Sequence, residues 1–201
     1  MGSGGPARLY VVRHGETEWS LSGQHTGRTD IPLTAEGEDA ARRLAPWLKG
    51  VAFAHVLTSP RQRARRTCEL SGLRPDAVTE PDLAEWDYGE YEGRRSADIE
   101  RERPGWDIFR DGCPGGETSE DVASRADRLI AHLSEMGGAI ALFSHGHFGC
   151  ALAVRWIGLP LTHGRNFALS PASLSVLGYG AHHPDTPVIT LWNAVPGAQG
   201  G

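Results

Sequence analysis

The sequence predicts an α/β fold with a largely parallel central sheet flanked by helices on both faces. Three observations lead there. Short apolar runs of strand length alternate with longer amphipathic runs along the whole chain. The two clearest apolar runs, Leu9-Tyr-Val-Val12 and Ala139-Ile-Ala-Leu-Phe143, are unbroken, as strands covered on both faces are. Gly 26 and Pro 13 provide the turns that so many short elements need.

The elements follow in order. Leu9–Val12 is a first buried strand, ending at Arg13-His14-Gly15. Thr34 is an N-cap with Glu36 and Glu38 in the first turns, and Ala40, Leu44, Trp47 and Leu48 recur at helical spacing. Pro46 bends or ends that helix. His55-Val-Leu-Thr-Ser59 is a second strand, with Pro60 at the first position of a basic helix. Ala77-Val-Thr is a weak third strand. Thr118 with Asp121 starts a helix running to about Met136, where Gly137-Gly138 stops it. Ala139–Phe143 is the clearest strand and ends on Ser144-His145-Gly146, while Leu174–Leu177 and Val188–Trp192 are the last two.

The 201 residues suit one domain, with a core over 8–195 and flexible termini. Lys+Arg 20 against Asp+Glu 25 gives a net charge of −5, which argues against nucleic acid bound through overall charge. The hydrophobic share of 39% is enough for a core. Cys68, Cys113 and Cys150 form neither a CxxC nor an even framework, which favours a reducing compartment. No apolar run is long enough to span a bilayer. Met1-Gly-Ser-Gly-Gly-Pro-Ala matches neither a secretory signal nor a myristoylation pattern, so a soluble cytoplasmic protein is expected.

Two strand ends carry His-Gly, His14-Gly15 and His145-Gly146. In open parallel sheets ligands bind beyond the carboxyl ends of strands, so the two histidines can face one pocket, and each glycine lets backbone approach a ligand closely. Either motif alone is more often an ordinary turn; the duplication favours a site. Arginine is the second ingredient: Arg13 precedes His14, and Arg61, Arg63, Arg65 and Arg66 open a helix directly after a strand. A helix N-terminus with guanidinium groups suits a phosphate dianion, provided at least one arginine points inward while most lie on a solvated face. The third ingredient is an acid. Glu85, Asp87, Glu90 and Glu92 stand among aromatics and glycines; Glu85 against aromatic surface would keep its proton near neutral pH and donate it to a leaving oxygen. Glu90 and Glu92 fit surface carboxylates better.

Arg13-His14-Gly15-Glu16-Thr17-Glu18-Trp19, Thr26-Gly27, Thr58-Ser59 with Arg63-Ala64 and Thr67, Glu85, and Ser144-His145-Gly146 together resemble the histidine phosphatase superfamily. The resemblance spans residues 9–193 and implies the phosphoglycerate mutase-like fold of mutases, acid phosphatases and sugar-bisphosphate phosphatases. It implies that His14 is the nucleophile that becomes phosphohistidine, that Arg13, Arg63 and His145 clamp the phosphoryl oxygens, and that Glu85 is the proton donor and later the base for water. Gly15, Thr17, Ser20, Thr26, Gly27 and Gly146 would line the phosphate side, with Ser20 standing where many mutases carry Asn. No metal and no cofactor are implied.

Within that family, hydrolysis is expected. Ser96 stands where mutases place a lysine, and Trp106 is followed by Asp107-Ile108 rather than by two arginines, so the cations for a second acidic group are missing. The segments around His147-Phe148 and Gly164-Arg165 are similar to acid and sugar-phosphate phosphatases. The expected protein is therefore a metal-independent phosphomonoester hydrolase acting on small phosphorylated metabolites. A cofactor-dependent phosphoglycerate mutase is the first alternative, with Arg94 and Arg95 replacing the missing cations. A protein phosphohistidine phosphatase and a non-enzymatic phosphate-binding module are the others. Oligomeric state stays open, a homodimer included.

Other chemistries fit poorly. His145-x-His147 and His182-His183 lack zinc-site spacing. Cys150 and Arg155 stand one residue too close for a cysteine phosphatase, and Cys150 reads as a small apolar residue on a helix. Ser144 lacks the first glycine of a nucleophile elbow, and the first strand lacks a dinucleotide fingerprint. Trp86, Tyr88, Tyr91, Trp106 and Phe148 are divided between core and a pocket rim without a residue-level assignment.

Overall fold

Six strands, β1 (Arg8–Arg13), β2 (His55–Thr58), β3 (Ala77–Thr79), β4 (Ala139–Ser144), β5 (Leu174–Tyr179) and β6 (Pro187–Ala194), form one sheet in the order β3-β2-β4-β1-β5-β6. They belong to a computed structural model that describes residues 5–73 and 77–197. The chain ends, residues 1–4 and 198–201, for which the sequence predicts flexible termini without a targeting pattern, lie outside the described residues. Pairings β2/β3, β2/β4 and β1/β4 are parallel, whereas β1/β5 and β5/β6 are antiparallel. The sheet is thus mostly parallel with one reversed strand, β5. Because β4 enters between β1 and β2, the carboxyl ends of these three strands stand side by side. That is the switch in strand order beside which open α/β sheets bind ligands.

Both sheet faces are buried, which is why the strands read as unbroken apolar runs. Leu9, Val11, Ile140 and Leu142 face a core shared with α7 (Ser119–Met136) and α8 (Gly146–Trp156). Val12, Ala141 and Phe143 face the other way, toward Leu44, Leu48, Ala64 and Cys68. Those residues come from the junction of α2 (Ala35–Arg43) with α3 (Ala45–Leu48), from α3 itself, and from α4 (Gln62–Leu70). Among the described residues, no helix is long and apolar enough to cross a membrane.

Local chemistry explains most boundaries. Thr118 and Asp121 form a reciprocal capping box on α7, which ends at Gly137 with φ 66°. Thr34 caps α2 by accepting from Gly37 N at 3.0 Å. The predicted helix then breaks at Leu44, and Pro46 sits in the first turn of the separate α3. Of the predicted stripe, Leu44 and Leu48 are buried and Ala40 packs against the same core, joined by Gly37 and Ala41, whereas Trp47 is exposed. Pro60 also differs from expectation: α4 begins at Gln62 with Arg61 as its N-cap, so Pro60 precedes the helix. The reason is local, since Asp30 Oδ1 accepts from Gln62 N at 2.8 Å and anchors the first turn there.

Candidate active site

The strand ends β1, β2 and β4 deliver Arg13-His14, Ser59 and Ser144-His145 to one place. The β1/β4 register sets Arg13 opposite Ser144, and His14 N donates to Ser144 O at 3.0 Å. The rings of His14 and His145 stand 5.1 Å apart, inclined at 65°. Both are buried. His14 Nδ1 lies 2.7 Å from Gly15 O, so it holds the proton in that bond and Nε2 keeps its lone pair. Burial, then the charges of Arg63 and Arg13, push the His14 pKa well below the ordinary histidine value. His145 is depressed in the same way, by burial and then Arg63. A neutral imidazole with a free Nε2 is what nitrogen attack on phosphorus requires. Ala172, in the left-handed region at φ 51°, donates its amide to His14 O at 3.0 Å and helps fix that backbone.

Arg63 is the inward arginine of the basic helix and is fully buried. Its guanidinium donates to the carbonyls of Thr29 at 3.0 Å, Thr26 at 2.8 Å and Gly27 at 3.2 Å, which leaves Nε without a partner. Arg13 donates to Leu169 O and likewise has a buried, unpartnered Nε. Two buried guanidinium donors without acceptors, beside two neutral imidazoles, form a cationic cradle for an oxyanion. The remaining arginines of α4 follow the solvated pattern: Arg65 is exposed and Arg66 pairs with Glu38 at 2.8 Å and Glu69 at 3.1 Å. At the amino end of α4 the Gln62 amide is taken by Asp30.

Glu85 arrives from the segment after β3. Its Oε1 accepts from Trp86 N at 2.9 Å and Phe148 N at 2.8 Å, and its Oε2 accepts from His147 N at 3.1 Å. It therefore caps the amino end of α8, where the helix dipole favours an acidic group. The partners of this carboxyl are thus backbone amides, and Tyr88 and Phe109 line the same pocket, in place of the aromatic surface expected directly against it. Arg125 on α7 pins this segment by donating to Asp82 O and Ala84 O, both at 2.8 Å, and by pairing with Glu117. Glu92 is not idle surface either. It accepts from Gly27 N and Thr29 N, holding the loop whose carbonyls grip Arg63.

A pocket of about 330 Å³ opens over these groups. Of the predicted residues, Arg13, His14, Ser20, Thr26, Glu85 and Gly146 line it. Arg63 and His145 lie beneath, His145 Nε2 being 2.7 Å from Ser59 Oγ. Thr17, Gly15 and Gly27 stand behind the lining. Thr17 is buried and caps α1 (Glu18–Ser22) through a reciprocal pair of bonds with Ser20. The two histidine-following glycines make room for protein, not ligand: a Cβ on Gly15 would meet Gly37 O at 2.3 Å, and one on Gly146 would meet the Arg13 guanidinium carbon at 3.3 Å.

Sequence reasoning did not single out His25 as a site residue, and it used His147 only in similarity and metal-spacing arguments. Both line the pocket and both have pKa values lowered to about 4, chiefly by burial. His147 Nδ1 is 2.7 Å from Tyr88 Oη, and the His25 ring stacks on Tyr88 at 4.6 Å. Their place after Gly146 and before Thr26, next to motif residues on each side, was the available signal. Of the aromatics left unassigned, Tyr88 lines the pocket, while Trp86, Tyr91 and Phe148 belong to the core. Cys150 also lines it, donating to Phe167 O at 3.3 Å; burial pushes its thiol up to about 12, which keeps it protonated. Arg94 turns away to Glu102 at 2.6 Å, and neither it nor Arg95 is among the lining residues. His182 and His183 are exposed.

Comparison with known proteins agrees with this geometry. The model of the histidine phosphatase superfamily (branch 1) matches residues 9–195. An acid phosphatase from Mycobacterium tuberculosis is 42% identical over 176 residues, covering 86% of each chain. A sedoheptulose 1,7-bisphosphatase from Saccharomyces cerevisiae is 38% identical over 186 residues, covering 76% of this chain and 68% of that one. The solved structure of an open reading frame product from Mycobacterium tuberculosis superposes with a TM-score of 0.88 at 36% identity, covering 94% of this chain and 98% of the other. The protein belongs to the histidine phosphatase superfamily and is a phosphatase of that type.

Proposed function

We propose that residues 8–195 act as one domain that hydrolyses small phosphorylated metabolites, without a metal, through a phosphohistidine on His14. The observation that carries this reading is the buried, neutral His14 whose Nδ1 is committed to Gly15 O, beside two arginines with unpartnered Nε groups. In the first step His14 Nε2 attacks phosphorus and the ester P–O bond breaks. The departing oxygen takes a proton from Glu85 at Oε2, which carries one of that carboxyl's three amide bonds. In the second step water attacks the phosphohistidine, the P–N bond breaks, and Glu85 takes the water proton. Arg13, Arg63 and His145 stabilise charge on the transferring group, an effect for which single donors are worth about 10²–10³ in rate. The phosphatase names of the relatives at 42% and 38% identity support hydrolysis over the mutase named for relatives at 31%, and so does the pairing of Arg94 with Glu102 outside the pocket lining. A small-molecule ester and a cytoplasmic setting go with this reading.

The test is incubation with 3-phosphoglycerate and a panel of sugar phosphates in EDTA, followed by phosphate release and product NMR together. Phosphate freed from several esters without 2-phosphoglycerate is the expected result. Isomerised phosphoglycerate with little free phosphate, or activity abolished by EDTA, would overturn it.

A further inference from the structure

The reaction pocket does not end at the phosphoryl cradle. Ser96, Phe109 and Arg165 line both it and a second, adjoining cavity of about 350 Å³ floored by Trp106, Asp107 and Ile108. A substrate whose phosphate lies on His14 therefore extends its alcohol portion past this shared wall. Among the described residues lining the two cavities, the arginines are Arg13 and Arg165, and no lysine joins them. Arg13 is committed to the cradle. His25 and His147 are held neutral, so near neutral pH they add no charge. Any second negative group on the substrate has Arg165 as its cationic partner.

Arg165 is built to be recruited. It follows Gly164, where a Cβ would meet the Phe109 ring at 2.5 Å, and this close packing sets the segment at the pocket mouth. Its side chain is 62% exposed and its ion pair, to Asp107 Oδ2 at 3.0 Å, is of the exchangeable surface kind. Asp107 is the less exposed partner, fixed in place because its Oδ1 caps Phe109 N at 2.9 Å. Glu100, the other carboxylate on the second cavity, is engaged with backbone by accepting from Gly105 N at 2.9 Å, so the cationic side of the wall is the one that carries Arg165.

We propose that Arg165 is a specificity-determining residue that leaves Asp107 to bind a second anionic group, a phosphate or carboxylate, on the alcohol portion of the substrate. This rests on the phosphatase reading above. It assigns preference between substrates, not the chemical step, and it makes Asp107 the internal competitor of the substrate's second anion.

The experiment uses matched pairs that differ in that group: 3-phosphoglycerate against glycerol 3-phosphate, and fructose 1,6-bisphosphate against fructose 6-phosphate. For each pair the ratio of kcat/KM is compared in the wild type, Arg165→Gln and Asp107→Asn. Arg165→Gln is expected to lower the ratio about tenfold, mainly through KM, as loss of one charge-assisted partner does. Asp107→Asn keeps the oxygen that caps Phe109 and removes the competing charge, so it should raise the ratio about threefold. Unchanged ratios in Arg165→Gln, or both variants lowering the ratio, would overturn the assignment and leave the pair as a structural brace. Absence of phosphate release from every ester in the wild type would overturn the phosphatase reading, and this inference with it.

Discussion

Gly15 and Gly37 are packed backbone against backbone. A Cβ on Gly15 would lie 2.3 Å from Gly37 O, and one on Gly37 would lie 2.2 Å from Glu16 O. The end of β1 and the start of α2 are thus locked together one residue from His14, the proposed nucleophile, and Gly15 N adds a bond to Thr67 Oγ1 at 3.0 Å. The second His-Gly motif has a different neighbour, the flexible Arg13 side chain.

The two motifs should accordingly fail in different ways. Gly15→Ala forces backbone apart and is expected to cost about 3 kcal/mol or more of stability, read as a lower midpoint of denaturant unfolding. Gly146→Ala asks only that Arg13 shift by a few tenths of an ångström, so stability should change by less than about 1 kcal/mol while kcat/KM falls about tenfold. Equal losses of stability in the two variants would contradict this division.

Glu85 is assigned a proton whose importance depends on the leaving group. Glu85→Gln keeps an oxygen to accept backbone bonds but carries no transferable proton. It is expected to slow alkyl phosphate esters by about 10²–10³ and p-nitrophenyl phosphate, whose leaving oxygen needs little protonation, by much less. A uniform loss across both kinds of ester would remove Glu85 from the acid role.

Ser59 acts on His145 from behind. Ser59→Ala removes the 2.7 Å partner of Nε2 in a ring whose Nδ1 already lacks one. The cost should be about 1–2 kcal/mol of stability together with a roughly tenfold fall in kcat, measured by thermal unfolding and steady-state kinetics. Full activity would show that His145 holds its orientation without that bond.

Stability should fall on the acid side of neutral. His25 and His147 have folded-state pKa values of about 4 against an ordinary 6.5, so below 6.5 the unfolded chain binds protons that the folded chain refuses. Stability is whole above pH 6.5 and declines as pH falls toward 4, by up to about 2 kcal/mol per histidine between 6.5 and 5. His147→Gln should flatten the pH dependence of the unfolding midpoint in that window. An unchanged slope would mean that His147 is protonated in the folded protein.

Much of this was legible in the chain because it depends on local pattern. The unbroken runs at Leu9–Val12 and Ala139–Phe143 announced strands covered on both faces, and Thr118 with Asp121 announced a capped helix. The repeated His-Gly at two strand ends pointed to one pocket, and the structure brings His14 and His145 within ring contact. What stayed hidden depends on tertiary placement. Nothing local tells that Asp30 would claim the start of α4, that Glu92 would hold the loop under Arg63, or that Arg165 and not Arg94 would reach the pocket mouth. The reversed direction of β5 is likewise a matter of chain routing, invisible in an apolar run that suits either orientation.

The most direct measurement is to mix enzyme with a phosphate ester in EDTA, quench under alkaline conditions that preserve phosphohistidine, and locate the phosphoryl group by peptide mass spectrometry. The account predicts a transient adduct on the peptide bearing His14, absent in His14→Ala, whose fold is retained and whose phosphate release is lost. Turnover without any adduct, or appreciable turnover by His14→Ala, would contradict it.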